Sequence, residues 1–120
     1  MATLLAHITV KSGSEERFEG IARELYERTH ALETGVLRYE YWRGNDPRTY
    51  YTLLSFDDHR AFIDHQTSDH HETASPAIGE TVESLRLECV GVDVKRISSF
   101  NLLESPQGCV LHVVFLHRGV

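Results

Sequence analysis

The 120-residue sequence predicts one α+β domain, with helices covering a single face of a four-stranded antiparallel sheet, and three observations carry that expectation. The first is a stripe of Phe18, Ile21, Ala22, Leu25, Thr29 and Leu32, which recurs at three- and four-residue intervals as one face of a long helix does. The second is a set of short β-forming runs on either side of that stripe. The third is the corner from Tyr50 to His71, where an apolar run breaks at Asp57-Asp58 and turns into a helical pattern with Ala61, Phe62 and His65 on one face. The resulting order is strand, helix, strand, strand, helix, strand. With right-handed crossovers this is the split β-α-β, or ferredoxin-like, arrangement.

Leu4 to Lys11 forms the first strand, with Leu4, Ala6, Ile8 and Val10 on one face and Leu5, His7 and Thr9 on the other. Ser12-Gly13-Ser14 ends it and offers a helix cap. Glu15 and Glu16 then occupy the first turn, where the helix dipole favours acids. The first helix is expected to end near Thr34-Gly35, with glycine as its cap. The second strand spans Val36 to Arg43, where Leu37, Tyr39 and Tyr41 alternate with Arg38, Glu40 and Trp42. Gly44-Asn45-Asp46-Pro47 closes a hairpin onto a third strand, Thr49 to Phe56, whose weak polar alternation places it centrally. Asp57 or Asp58 caps the next helix and Ser68 a further piece, with breaks expected at Pro76 and Gly79. Ser84 to Val94 is the fourth strand, with Leu85, Leu87 and Cys89 opposite Arg86 and Glu88.

Two regions make up the predicted organisation: residues 1–94 as the ferredoxin-fold domain and 95–120 as an extension. Within the extension, Cys109 to His117 is strongly β-forming, and a fifth strand on the sheet edge or on a partner subunit accounts for it better than a disordered tail, since an exposed run of this kind would aggregate. The sheet face left without helices still carries large residues, which predicts self-association as a homodimer.

A net charge of −6 argues against nucleic acid and anionic membrane surfaces as partners. No run approaches the roughly 20 apolar residues of a membrane span, and the first residues lack the pattern of a signal peptide. Cys89 and Cys109 have neither zinc-type nor C-x-x-C spacing and read as buried packing thiols, so a cytoplasmic location is expected. Phosphate-binding glycine loops and nucleophile elbows are absent from the sequence.

Three motifs carry a family likeness: I-T-V-K-S-G followed by a Glu pair, E-T-G-V-L-R-Y-E at the second strand, and A-F-I-D-H-Q-T-S-D-H-H after the third. From Leu4 to about Val94 the chain resembles the antibiotic biosynthesis monooxygenase family, which includes quinol monooxygenases. The resemblance implies a dimeric α/β barrel, with a pocket in each subunit between sheet and helices for a flat aromatic or quinone-like molecule. It also implies oxygenation without flavin, haem or metal, since an electron-rich phenol or quinol passes an electron to dioxygen itself. Many relatives close the third strand with a Glu two residues before a Trp. Leu54 and Phe56 stand at those places here, and with Ala6 or His7 on the first strand they do not match the haem-degrading branch.

Histidine is the side chain whose ordinary titration falls near neutrality, which suits it to take a phenolic proton. His65 shares a helix face with Phe62 and is the first catalytic candidate, the alternative being a structural histidine bonded within the core. His70 is the second, and pairs with His65 only if the helix breaks between them. His71 is expected in solvent. No metal is expected, because adjacent imidazoles on one helix diverge. Tyr39, Leu54, Phe56, Phe62 and His7 are the candidate substrate contacts, with ordinary core packing as the alternative for each, and Trp42 has the parity of a subunit contact. The expected activity is a cofactor-independent monooxygenase acting on a phenolic or quinol-type aromatic with dioxygen. A non-catalytic small-molecule-binding dimer and an isomerase on the same scaffold are the alternatives.

Overall fold

The computed structural model describes residues 1–90. In chain order the elements are β1 (Ala2–Val10), α1 (Glu15–Leu32), β2 (Val36–Arg43), β3 (Thr49–Phe56), α2 (His59–Gln66), α3 (Asp69–Thr81) and β4 (Val82–Val90). The strands form one sheet in the order β2-β3-β1-β4, with every neighbouring pair antiparallel. This is the ferredoxin-like arrangement, with β3 in a central place. The fifth strand expected over Cys109 to His117 and the boundary near Val94 lie outside the described residues.

Alternation along the strands decides which face is covered. Ala2, Leu4, Ala6, Ile8 and Val10 are buried, and the register aligns Leu4 with Leu54 and Leu54 with Tyr39. Phe18, Ala22 and Leu25 from α1 and Ile78 from α3 close over this layer. Leu5, Tyr51 and Leu53 lie half-buried on the opposite face, and Trp42 there is 58% exposed. Leu37 departs from the expected alternation. The β2–β3 register shifts between Val36 and Arg38, so Val36 packs against the core and Leu37 is exposed.

Three local expectations are corrected. Gly35 does not cap α1, which ends at Leu32 with the Glu33 N–H donating to the Thr29 carbonyl at 3.1 Å. Glycine is needed at 35 because a Cβ there would meet the Ala61 Cβ at 2.7 Å, so it permits the close approach of α2 to the start of β2. Helix α3 is not broken at Pro76 or Gly79 but runs on to Thr81, which also starts β4 at Val82 rather than Ser84. Pro76 faces solvent, where the local opening a proline imposes meets water and not the core, and Ser75 Oγ donates to the His71 carbonyl just before it. Cys89 is disulfide-bonded and not the free thiol expected.

The N-terminal caps of α2 and α3 fall where the sequence puts them, whereas Ser14 precedes α1 without a side-chain cap bond. Asp58 accepts the Ala61 N–H at 2.8 Å and Ser68 accepts the His71 N–H at 3.3 Å. Among the described residues no helix is long and apolar enough to cross a membrane.

Candidate functional site

Three element ends converge under the covered face. Glu33 is the first residue beyond α1, His65 lies in the last turn of α2, and His70 lies in the first turn of α3. The link between the two helices is only Thr67-Ser68. Ser68 stiffens it by donating from Oγ to the His65 carbonyl at 2.7 Å while capping α3. The helical direction therefore changes between the two histidines, and both imidazoles reach one carboxylate. Nδ1 of His65 lies 2.8 Å from Oε2 of Glu33, and Nε2 of His70 lies 2.5 Å from the same oxygen. The side chains are 1% (His65), 6% (His70) and 12% (Glu33) exposed.

Burial alone would raise the Glu33 carboxyl, but hydrogen bonds and positive potential from His65 and His70 outweigh it and hold the group below its ordinary value. An ionised carboxylate only accepts, so both bonded ring nitrogens carry hydrogen. In the neutral rings the lone pairs then sit on Nε2 of His65 and Nδ1 of His70. Around His65 the Tyr39, Phe56 and His71 rings stand at centroid distances of 5.0, 5.3 and 5.0 Å. The three donor atoms of Glu33, His65 and His70 lie within 4.8 Å of one another. Two imidazoles and a carboxylate are a donor set that suits zinc or non-haem iron, so these residues could hold a cation.

Cavities lie on both the α3 and the β2 side of α1. One of about 500 Å³, between α1 and α3, is lined by Ile21, Leu25, Leu32, Ala74, Ala77 and His70, with Glu24, Arg28 and Asp69 also at its wall. The other, of about 320 Å³, lies between α1 and β2 and is lined by Phe18, Tyr26, Tyr41, Trp42 and Tyr50 beside the Glu19–Arg43 ion pair. The Tyr41 hydroxyl bonds that of Tyr39 at 2.8 Å. Burial pushes Tyr41 up to about 12, and burial together with its Tyr41 neighbour holds Tyr39 well above its ordinary value.

The antibiotic biosynthesis monooxygenase family model matches residues 1–77. The chain belongs to that family. A solved protein from Shewanella oneidensis is 27% identical, with 74% of this chain and 87% of that one covered at a TM-score of 0.69. One from Pseudomonas aeruginosa is 24% identical over 77% and 93% of the two chains, with a TM-score of 0.71. A third, named as an antibiotic biosynthesis monooxygenase, is 20% identical over 78% and 99%, with a TM-score of 0.72. No curated protein matches the chain at a significant level.

The sequence-predicted residues of this family member fall into three groups. His65 points inward beside Phe62 as expected, but side chains pack around it and it lines neither cavity. Tyr39, Leu54, Phe56 and Phe62 are buried in the core and likewise line neither cavity. His70 is the one catalytic candidate that reaches a cavity wall, and the helix break its pairing with His65 requires is present at Thr67-Ser68. His7 lies on the other sheet face, with Nε2 2.8 Å from Glu88 and its ring edge-on to Tyr51. His71, expected in solvent, is buried, because the first turn of α3 aims it at α2. Glu33 carried no assigned role in the sequence, although one signal was available there. A carboxylate just past a helix C-terminus opposes the dipole, so its place needs a donor or cation to compensate.

Proposed function

We propose that this member of the family is a cofactor-independent monooxygenase of a phenolic or quinol-type aromatic small molecule, working as a homodimer joined through the open sheet face. The observation that carries the reading is that His70, bonded to an ionised Glu33, forms part of the wall of the largely apolar α1/α3 cavity. A phenol bound there gives its proton to the lone pair of His70, and Glu33 stabilises the imidazolium that forms. This is general-base catalysis of a kind worth roughly 10²–10⁴-fold. His65 braces the same carboxylate from the core side, and Tyr39, Leu54, Phe56 and Phe62 hold its ring in place. His7 belongs to the subunit face.

The electron balance needs no further reductant. A hydroquinone and one dioxygen give a hydroxyquinone and one water: one oxygen atom enters the ring, the other leaves as water, and the substrate supplies all four electrons. Aerobic incubation with a panel of hydroquinones and anthrone-like phenols, followed by oxygen uptake, tests the reading. Uptake no faster than that of His70→Ala and His65→Ala variants removes it. Light scattering coupled to size-exclusion chromatography tests the dimer, and a monomer at micromolar concentration removes that part.

The closed packing around His65, with Leu54 and Phe56 on the strand behind it, favours a second reading in which the domain binds a small molecule without turning it over. A ligand recovered chemically unchanged after long aerobic incubation supports that reading. Conversion under anaerobic conditions points instead to isomerisation.

A further inference from the structure

We propose that Glu33, His65 and His70 form a binding site for one divalent transition-metal cation of the zinc type, entered from the cavity between α1 and α3. The donor set is complete for a three-ligand site with one open position. Zinc takes imidazole nitrogen and carboxylate oxygen at roughly 2.0–2.2 Å, and its fourth place is then filled by water or a small ligand. The three donors come from three different elements, so the backbone fixes their separation, and all three atoms already lie within 4.8 Å of one another. Hydrogen bonds of 2.8 and 2.5 Å now hold the two nitrogens on one oxygen. Those contacts are shorter than the donor spacing around a bound zinc, which is roughly 3.3 Å for tetrahedral angles at such bond lengths. Binding therefore needs each nitrogen to part slightly from the oxygen and the two nitrogens to take the same spacing from each other, with the hydrogen leaving each coordinating nitrogen.

Charge and access agree with this. The Glu33 carboxylate and the two imidazoles meet in a nearly dry setting, where a carboxylate attracts a cation most strongly. Tyr39, Phe56 and His71 pack around the His65 ring and keep solvent from that side. On the other side His70 opens onto the α1/α3 cavity, whose wall carries Glu24 and Asp69 against Arg28. The site stands apart from the oxygenase reading. A bound cation takes nitrogens of the same rings that reading uses for protons, so occupancy and turnover oppose each other.

The test uses the whole chain, freed of metal and titrated with zinc or cobalt(II) ions alone. Calorimetry is expected to give one equivalent per chain, and cobalt is expected to show visible bands of nitrogen and oxygen ligation without a thiolate band. Glu33→Gln and His70→Ala are expected to weaken binding at least tenfold, while His59→Ala, at an exposed position, leaves it unchanged. No stoichiometric binding by the wild type overturns the proposal. So does equal affinity in Glu33→Gln and His70→Ala, which places the cation elsewhere among the eight histidines. Should those variants fail to fold, the imidazole nitrogen resonances of the wild type decide. Shifts on His65 and His70 with one equivalent of zinc support the site, and shifts confined to other histidines overturn it. None of these measurements needs turnover, so a chain inactive toward every phenol still tests the cation site.

Discussion

The two sides of α1 are built by different means. Toward β2, the cavity is walled by residues inside regular elements: Phe18 and Tyr26 of the helix, Tyr41 and Trp42 of one strand, Tyr50 of the next. Toward α3, the chemistry comes from places where elements stop or start: Glu33, His65 and His70. The aromatic side is open and its polar groups are paired at the rim, as with Glu19, which takes two bonds from Arg43 and one from the Tyr50 hydroxyl. The imidazole side is closed and its polar groups are paired inside. Positions inside an element are set by periodicity and give a surface, whereas the residues at junctions are set by caps and turns and can aim several unlike side chains at one point.

Substitutions can break or sharpen that contrast. The largest effect is expected for oxygen uptake in His70→Ala, a fall of about 100-fold or more if the imidazole is the base, while Trp42→Ala on the other side of α1 stays within a few-fold of wild type. Steady-state rates with the best phenol of the panel check this. For stability, Phe62→Ala removes a fully buried ring behind His65 and is expected to cost about 3–5 kcal/mol in urea unfolding. Glu33→Gln keeps the shape of the cluster but loses its charge, and should cost roughly 1–3 kcal/mol by the same measurement. A loss no larger than that of Trp42→Ala would mean that the closed side is not the better-bonded one.

Alkaline pH reports on three tyrosines of the covered sheet face. Burial raises Tyr50 and Tyr41 to about 12 and holds Tyr39 well above its ordinary value. A phenol whose folded value is raised stabilises the fold fully below its ordinary titration range, and that stability is lost as pH rises through the raised value. Absorbance near 295 nm should therefore show these three ionising only with loss of structure. The smallest effect is expected in the emission of the single tryptophan, Trp42, at the β2-side cavity. Phenols bound at the α3 side leave it unchanged, and quenching by them would move the substrate to the aromatic side.

Much of the scaffold was legible because its signals are local. The stripe from Phe18 to Leu32 names α1, and the alternation of Leu4, Ala6, Ile8 and Val10 is the alternation of burial along β1. Asp58 and Ser68 announce their helices through hydroxyl or carboxylate oxygens within reach of the next free N–H groups. Pro76 and Gly79 misled because breaker residues act on isolated helices, whereas α3 is held by packing of Ser75, Ile78 and Thr81 against the rest of the fold. Of the site, His65 and His70 were visible as residues but their shared partner was not. Glu33 is 32 residues from His65 and 37 from His70 in the chain, a separation that no period or spacing encodes.

By itself the sequence determined the antiparallel α+β scaffold, the inward turn of His65 and the family to which the chain belongs, because periodicity, caps and motifs act over a few residues. Only the tertiary structure decided that Glu33 gathers both imidazoles, that the space around His65 is filled, and that the cavities lie on either side of α1. Those outcomes depend on how element ends meet across the fold. Close packing leaves room only where distant surfaces fail to interlock.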